Sequence, residues 1–395
     1  MQTLTVLGTT GTVGRNTLDV ARRHPTRIGI HALTANKDAD GLLALCAEFR
    51  PVLAVLADPG AAVALEAKLK SAGLPTRVAS GDTAIAQAAA DPASSVVMSA
   101  MVGAAGLLPT LAAVRGGKRV LIANKEPLVM AGHLLMAEAR RAQATIIPID
   151  SEHNAIFQCL SGQQALGGGI ARLILTASGG PFREWSRERM EQATPEQAVR
   201  HPNWVMGPKI SVDSATMMNK GLELIEATRL FDISETRLEV VLHPESIVHS
   251  MVEFADGSTL AQLGQPDMRV PIAHALAWPE RWESGVGGLD WPNVGPFHFG
   301  AVDLQKFPCL SLARQALRAD GVMPNVLNAA NEIAVAAFLE GRLPFTGIEC
   351  VIGDVLDAAA SAPLSPGDTL DEILAVDRWA RQCAGECVRT EAVHA

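Results

Sequence analysis

The chain is poor in the features that mark several broad protein classes. Its six cysteines, Cys46, Cys159, Cys309, Cys350, Cys383 and Cys387, contain no C-x-x-C pair and are scattered over 395 residues. That excludes a disulfide framework and a cysteine zinc site, and leaves reduced thiols as in a cytoplasmic enzyme. Basic residues are in deficit: 33 Lys and Arg stand against 42 Asp and Glu, for a net charge of −9. A general nucleic-acid binder needs the opposite surplus to displace counterions, so no nucleic-acid partner is expected beyond a local pocket for a small anion. Long unbroken apolar runs are missing too. Residues 93–114 carry no charge over a membrane-length span, but Ser94, Ser95, Ser99, Gly103, Gly106 and Pro109 interrupt them. A buried strand, a glycine turn and a helix starting near Pro109 account for that stretch without a membrane. The first strand is expected from Thr3, which leaves no room for a cleavable signal peptide.

What is present suits a well-buried globular chain: 48% apolar and 19% charged residues. At roughly 100–200 residues per domain, two or three domains are expected. In the first 150 residues short apolar runs at 3–7, 28–34, 52–56, 96–101, 119–123 and 145–149 alternate with helical patterns such as 14–24 and 61–72. Such alternation predicts an α/β fold with a parallel sheet covered on both faces. After Asp150 the texture becomes α+β. Strands are expected at 172–176, 238–242, 247–254 and 258–263, the last two joined by an Asp256-Gly257 hairpin turn, with one prominent helix near 214–231. Residues 278–303, rich in Trp, Pro and Gly, read as a linker. The Ala-rich remainder, 304–395, reads as a helical domain.

The strand TLTVL runs into Gly8-Thr9-Thr10-Gly11-Thr12-Val13-Gly14 and then a helical pattern. Glycines allow a tight turn and close backbone approach to a pyrophosphate, and a helix start presents free N–H groups to the anion. The spacing is G-x-x-G-x-x-G, so its place at the first strand–helix junction carries more weight than the pattern itself; a turn needed only for packing is the alternative. Where an NAD site usually places an acid, this chain has Asn36-Lys37, and Lys37 suits a 2′-phosphate. NADP(H) is favoured, although Asp38 and Asp40 are close enough to serve a ribose. Asn124-Lys125-Glu126 ends another expected strand, at the edge that faces ligand in such sheets.

Asp150-Ser151-Glu152-His153-Asn154 follows the strand TIIPI. In extended backbone Asp150 and Glu152 point the same way, and two adjacent carboxylates call for a cation; oxygen ligands suit Mg²⁺ or Mn²⁺. The plainer alternative is a cap on the following helix. A second cluster spans Ser214, Asn219, Lys220 and Glu223. Its apolar stripe is Ala215, Met218, Leu222 and Ile225, with Asn219, Lys220 and Glu223 on the opposite face. Glu223 offers a third oxygen ligand and Ser214, Asn219 and Lys220 a phosphate grip, against a solvated Lys–Glu face as the alternative. Ser178-Gly179-Gly180 reads as a glycine turn or a phosphate nest. His201-Pro-Asn203-Trp204-Val-Met206-Gly207 reads as a lid or a packed loop.

Taken together these segments resemble the 1-deoxy-D-xylulose 5-phosphate reductoisomerase family of the non-mevalonate isoprenoid pathway. The blocks that carry the resemblance are GTTGTVG at 8–14, VGAAGLLPTLAAV at 102–114, NKE at 124–126, DSEHNAIFQ at 150–158, SGGPF at 178–182, HPNWVMG at 201–207 and KISVDSATMMNKGLE at 209–223. Later blocks are HPESIVHSM at 243–251, QLGQPDMR at 262–269, PIAHALAWP at 271–279 and LNAANEIAVAAFL at 327–339.

The resemblance implies a Rossmann-like NADPH domain over 1–149, a catalytic domain over 150–277 with a lid at about 178–208, a linker, a C-terminal helical domain, and a cytoplasmic homodimer. It places Thr10, Gly11, Thr12, Val13, Asn36, Lys37, Asp38, Asn124, Glu126 and Gly207 at NADPH. It places Asp150, Glu152 and Glu223 on one Mn²⁺ or Mg²⁺. Around a phosphosugar substrate it places Lys125, Ser151, Glu152, Ser178, His201, Trp204, Met206, Ser214, Asn219, Lys220 and Glu223, with Lys125 and Glu152 catalytic. The implied reaction rearranges 1-deoxy-D-xylulose 5-phosphate by retro-aldol cleavage and aldol rejoining. Hydride from NADPH then gives 2-C-methyl-D-erythritol 4-phosphate. Two positions depart from the family: Asn36 where Gly is frequent, and Pro127 where Ser is common. A semialdehyde dehydrogenase shares this type of glycine loop but needs a nucleophilic cysteine, for which only Cys159 lies between 151 and 277. A nucleotide sensor would not need the three carboxylates.

Overall fold

The computed structural model describes residues 1–160, 169–204 and 206–394, and divides into two compact units. The first comprises Met1–Pro127, Leu135–Asn154 and Asp267–Gly287. Its core is an all-parallel seven-stranded sheet of β1 (Gln2–Leu7), β2 (Ile28–Ala35), β3 (Leu53–Leu56), β4 (Arg77–Ser80), β5 (Val96–Ser99), β6 (Arg119–Ile122) and β7 (Thr145–Pro148). The order is β4-β3-β2-β1-β5-β6-β7. Helices between the strands cover the sheet, and its central strands are largely buried on both faces, Thr5, His31 and Thr34 included. The order reverses between β1 and β5, and in such sheets ligands bind beyond the strand ends at that reversal. The strand β4 has no counterpart among the sequence expectations. Its residues RVAS form a partly exposed edge with no apolar run to announce them.

The segment Asp267–Gly287, expected to straddle the end of the catalytic domain and the linker, belongs to this first unit. Its helix Arg269–Ala277 packs on the helix Thr12–Arg23. Arg269 pairs with Asp19 at 3.2 Å and Gln2 donates to the Leu276 carbonyl at 2.9 Å.

The second unit comprises Leu128–Leu134, Ala155–Pro266 and the chain from Gly288 on. Its sheet holds β8 (Ile170–Ala177), β9 (Leu238–Leu242), β10 (Val248–Phe254), β11 (Thr259–Leu263) and β12 (Gly300–Ala301), in the order β11-β10-β8-β9-β12. The hairpin expected at Asp256-Gly257 is there: β10 and β11 pair antiparallel, Gly257 takes φ +85°, and the Asp256 carboxylate accepts from the Ser258 N–H and hydroxyl. Helices Pro308–Ala319, Met323–Leu339, Gly347–Ser361 and Leu370–His394 complete the unit, as the Ala-rich periodicity predicts.

The single helix expected near 214–231 is two. Pro208–Ala215 ends before Met217, which adopts a left-handed φ of 63°, and Met218–Phe231 begins anew. The Thr216 hydroxyl accepts from the Met218 N–H and so starts the second helix. No glycine or proline marks this break.

Candidate active site

In the first unit the glycine loop leaves β1 at the reversal point. Gly8 takes φ +79°, and a Cβ there would strike the Ala100 carbonyl just past β5. A Cβ on Gly14 would stand 2.5 Å from the Gly8 carbonyl. These two glycines are therefore required by packing. Gly11 is different: it is exposed, its nearest neighbour would be 3.4 Å away, and it stands at the start of Thr12–Arg23 without a side-chain cap. The N–H groups of that helix start are presented at the one of the three loop glycines that packing does not need, an arrangement that suits a pyrophosphate. Thr34 at the end of β2 locks the loop from the side. Its carbonyl accepts from Thr9 N–H at 2.8 Å and its hydroxyl from Gly8 N–H at 3.1 Å.

Asn36, Lys37 and Asp38 follow, all exposed. The Asp38 carboxylate accepts from Gly41 N–H at 2.8 Å and caps the next helix, so it is engaged within the protein, while Lys37 extends from the same turn. Asn36 lies outside the left-handed region, so this turn does not need the glycine frequent in the family.

Beyond β6, Asn124, Lys125 and Glu126 are all buried. Asn124 donates to the Glu126 carboxylate, and its Oδ1 is buried with no partner among the described residues. That oxygen packs against Gly106, where a Cβ would stand 1.8 Å from it. Pro127 falls in the first turn of the helix Glu126–Ala142, where a missing N–H breaks no helical bond. The Lys125 ammonium lies 2.6 Å from Asp150 Oδ2.

Asp150 and Glu152 do not share an extended strand as expected. The helix Ser151–Cys159 starts directly after Asp150, whose carbonyl accepts from Asn154 N–H at 2.8 Å. The capping alternative is therefore met by the backbone, and the carboxylate of Asp150 is turned to Lys125. The Ser151 hydroxyl donates to Glu152.

In the second unit, Ser178 directly follows β8 and its hydroxyl lies 2.8 Å from His201 Nε2. A Cβ on Gly180, which has φ +66°, would stand 2.6 Å from the Ser214 carbonyl. The bare glycine thus seats the Ser178 turn against the end of Pro208–Ala215. Asn219 and Lys220 grip the two oxygens of Glu223, each at 2.5 Å. Lys220 is 3% exposed and Glu223 fully buried, so the solvated-face alternative fails for this pair, while Asn219 is half-buried. Trp204 lies 6.1 Å from the His249 ring, and Met206 is half-buried beside the exposed Gly207; Val205 lies outside the described residues.

Among the described residues two sets of side chains have donor chemistry for a cation: Asp150, Glu152 and Glu223, and Asp150, His153 and Glu226. Carboxylate oxygens alone, as in the first set, suit a hard divalent ion. The thiol of Cys159 is pushed up to about 11 by burial, which suits an inert side chain rather than a nucleophile. No helix among the described residues is long and apolar enough to cross a membrane.

Comparison with known proteins decides the family. Sequence models of 1-deoxy-D-xylulose 5-phosphate reductoisomerase match residues 4–132, and those of its C-terminal domains match 146–231 and 263–383. The reductoisomerase of Ralstonia pickettii is 56% identical over 391 residues, covering 99% of this chain and 98% of the relative.

The chain belongs to the 1-deoxy-D-xylulose 5-phosphate reductoisomerase family.

The reductoisomerase of Acidithiobacillus ferrooxidans is 57% identical over 380 residues, covering 96% of this chain and 95% of its own. Among solved structures, a reductoisomerase in complex with NADPH, fosmidomycin and magnesium superposes with a TM-score of 0.93, 48% identity and 98% coverage of both chains. The Zymomonas mobilis reductoisomerase with NADPH gives 0.89, at 44% identity and 98% coverage of both. The Rossmann-like α/β class and the enzyme class expected from the resemblance hold. The activity that goes with membership is the NADPH-dependent conversion of 1-deoxy-D-xylulose 5-phosphate to 2-C-methyl-D-erythritol 4-phosphate. Neither the semialdehyde dehydrogenase nor the sensor reading survives. Sequence reasoning assigned no role to Asn203, His243 or Ser246, although two of the quoted blocks contain them. Side-chain bonds across 40 or so positions leave no periodic trace.

Proposed function

We propose that Asp150, Glu152 and Glu223 hold one divalent cation, Mg²⁺ or Mn²⁺, for the family's reaction in this chain, and that the Gly11 helix start, Lys37 and the Asn124–Glu126 turn hold NADPH. The observation that carries the reading is the treatment of the acids. Asp150 and Glu223 are each set in place by a buried lysine, and Glu152 by Ser151. Glu223 is fully buried and Asp150 and Glu152 are half-buried, and carboxylates held this way are pre-positioned ligands whose desolvation is in part already offset. NADPH supplies the hydride and the cation supplies Lewis acidity.

The chain's own residues do the rest. Lys125 sets positive charge beside the reacting oxygens, where charge develops. Glu152, within hydrogen-bond reach of the Ser151 hydroxyl, takes and returns the proton of a substrate hydroxyl. Ser178, His201, Ser214, Asn219 and Lys220 bind the phosphate, remote from the bond changes, and Trp204 and Met206 keep water out. Thr10, Thr12, Val13, Asn36, Asp38 and Gly207 line the nucleotide side. The N-terminal 1–149, catalytic 150–277, linker 278–303 and C-terminal 304–395 segments serve as functional divisions.

A cytoplasmic homodimer completes the reading. The homodimer's support is the edge strand β11, where Thr259 and Ala261 are exposed and Leu260 is 51% exposed, leaving an outer edge with no partner strand among the described residues and an apolar side chain in water.

The experiment is NADPH consumption followed by absorbance with 1-deoxy-D-xylulose 5-phosphate, with and without added Mg²⁺ or Mn²⁺, for the wild type and Glu223→Gln. Turnover is expected only with the cation. In the variant it should fall by about 10³-fold, the scale on which single electrostatic groups act in catalysis, with NADPH affinity kept within about threefold. Near-normal turnover of the variant removes Glu223 from the ligand set.

A further inference from the structure

The lid expected over 178–208 has two parts that the protein treats differently. From Ser178 to Ala198 the chain is anchored. Phe182 is fully buried, with its ring 4.4 Å from Trp185 and 4.9 Å from Phe345. Arg187 pairs with Glu349, Lys306 donates to the Arg183 carbonyl, and Met190 and Ala198 are fully buried. From Val199 to Gly207 no described residue is buried. This second part is fastened through one side chain in particular. The Asn203 amide donates from Nδ2 to the Pro244 carbonyl at 2.7 Å and to Ser246 Oγ at 2.8 Å.

Both ends of that fastening are shaped by a histidine used as an acceptor of two backbone N–H groups. On the lid side His201 Nδ1 accepts from Asn203 N–H at 3.2 Å and Trp204 N–H at 3.0 Å. That leaves Nε2–H to donate to Ser178 Oγ. On the receiving side His243 Nε2 accepts from Ile247 N–H at 3.2 Å and Val248 N–H at 3.0 Å. Its Nδ1–H donates to the His298 carbonyl at 3.0 Å. His243 is fully buried and stacked 4.8 Å from the Phe299 ring. The turn it holds carries Ser246 at φ 54°, a left-handed backbone that a serine adopts only where its surroundings impose it. A fixed imidazole therefore shapes each turn, and one carboxamide joins them.

We infer that Asn203 is the clasp of the short lid 199–207, and that His243 is the positioning residue that presents the Pro244 carbonyl and Ser246 hydroxyl to it. The clasp sets how firmly His201 and Trp204 stay over the phosphosugar. This rests on the phosphate and lid roles proposed above.

The test uses the full chain with NADPH, Mg²⁺ and 1-deoxy-D-xylulose 5-phosphate, and compares Asn203→Asp, Asn203→Ala and Ser246→Ala. Aspartate has the shape of asparagine but cannot donate, so a steric role would leave Asn203→Asp like the wild type. A clasp predicts a KM about tenfold higher in both Asn203 variants, the scale of losing a pair of neutral hydrogen bonds, and about twofold to threefold higher in Ser246→Ala, which keeps the Pro244 bond. A readout independent of turnover is tryptic cleavage after the exposed Arg200, which should accelerate several-fold in the Asn203 variants at unchanged Tm. Wild-type KM and wild-type cleavage in Asn203→Asp overturn the clasp. If the wild type itself does not consume the substrate, the functional assignment fails and cleavage alone decides: faster at Arg200 supports the clasp, unchanged overturns it.

Discussion

Each unit buries a lysine against a carboxylate, and the two pairs are built in opposite ways. Lys125 and Asp150 come from the ends of neighbouring strands and meet at 2.6 Å only because β6 and β7 are parallel and in register. Lys220 and Glu223 meet at 2.5 Å as an i,i+3 pair on one helix, with Asn219 as a second donor. The first unit positions its chemistry by backbone topology, the second by side-chain bonds within and between short segments. A sheet-borne group depends on the whole sheet; a helix-borne group depends on one turn and on what covers it.

The sharpest way to break this contrast is to remove each lysine. Lys220→Met takes the charged donor from the fully buried Glu223 and should lose about 3 kcal/mol of stability by chemical denaturation, and Lys125→Met somewhat less, because Asp150 is half-buried. Their kinetics should part: Lys125→Met lowers kcat by about 10²-fold or more, whereas Lys220→Met chiefly raises KM for the phosphorylated substrate. The same kinetic signature from both would mean that the two grips do one job.

A second test stays within the first unit. Gly8→Ala meets both a positive φ and a carbonyl, and should cost about 2 kcal/mol or more. Gly11→Ala should leave stability within about 0.5 kcal/mol, yet weaken NADPH by about tenfold in a fluorescence titration. Equal losses of stability would return Gly11 to a packing role.

The smallest effect concerns pH. His274, in the first unit's helix Arg269–Ala277, is pushed down to about 4, chiefly by burial and further by Arg281. It is neutral in the folded protein, while the unfolded chain takes up a proton below about 6.5. Stability should therefore fall as pH drops from about 6.5 to 4 and level off below. His274→Gln should flatten that slope in denaturation curves taken across the window; an unchanged slope assigns the acid sensitivity elsewhere.

What could be read from sequence follows the same division. The parallel sheet announces itself because short apolar-rich runs alternate with helical patterns, and the hairpin because Asp256-Gly257 supplies the turn. The edge strand β4 and the break at Met217 have neither an apolar run nor a turn residue, and only tertiary packing imposes them. The Lys220–Glu223 grip is visible as spacing. The Lys125–Asp150 pair is not, since it depends on which strands become neighbours, and neither is the Asn203 clasp. Asp150 and Glu152 were traceable as a pair, but through a wrong geometry, because an extended and a helical reading of DSEHN both bring polar groups together.

The bare turn at Gly180 has a consequence for inhibitor chemistry. Backbone contact, rather than adjustable side chains, sets the spacing between the Ser178 turn and the end of the Pro208–Ala215 helix. The anion receptor proposed there would behave as a fixed gauge. Tetrahedral oxyanions of phosphate size should fit without reshaping it, bulkier or planar heads should be refused, and useful variation in a synthetic compound belongs at the opposite end of the molecule.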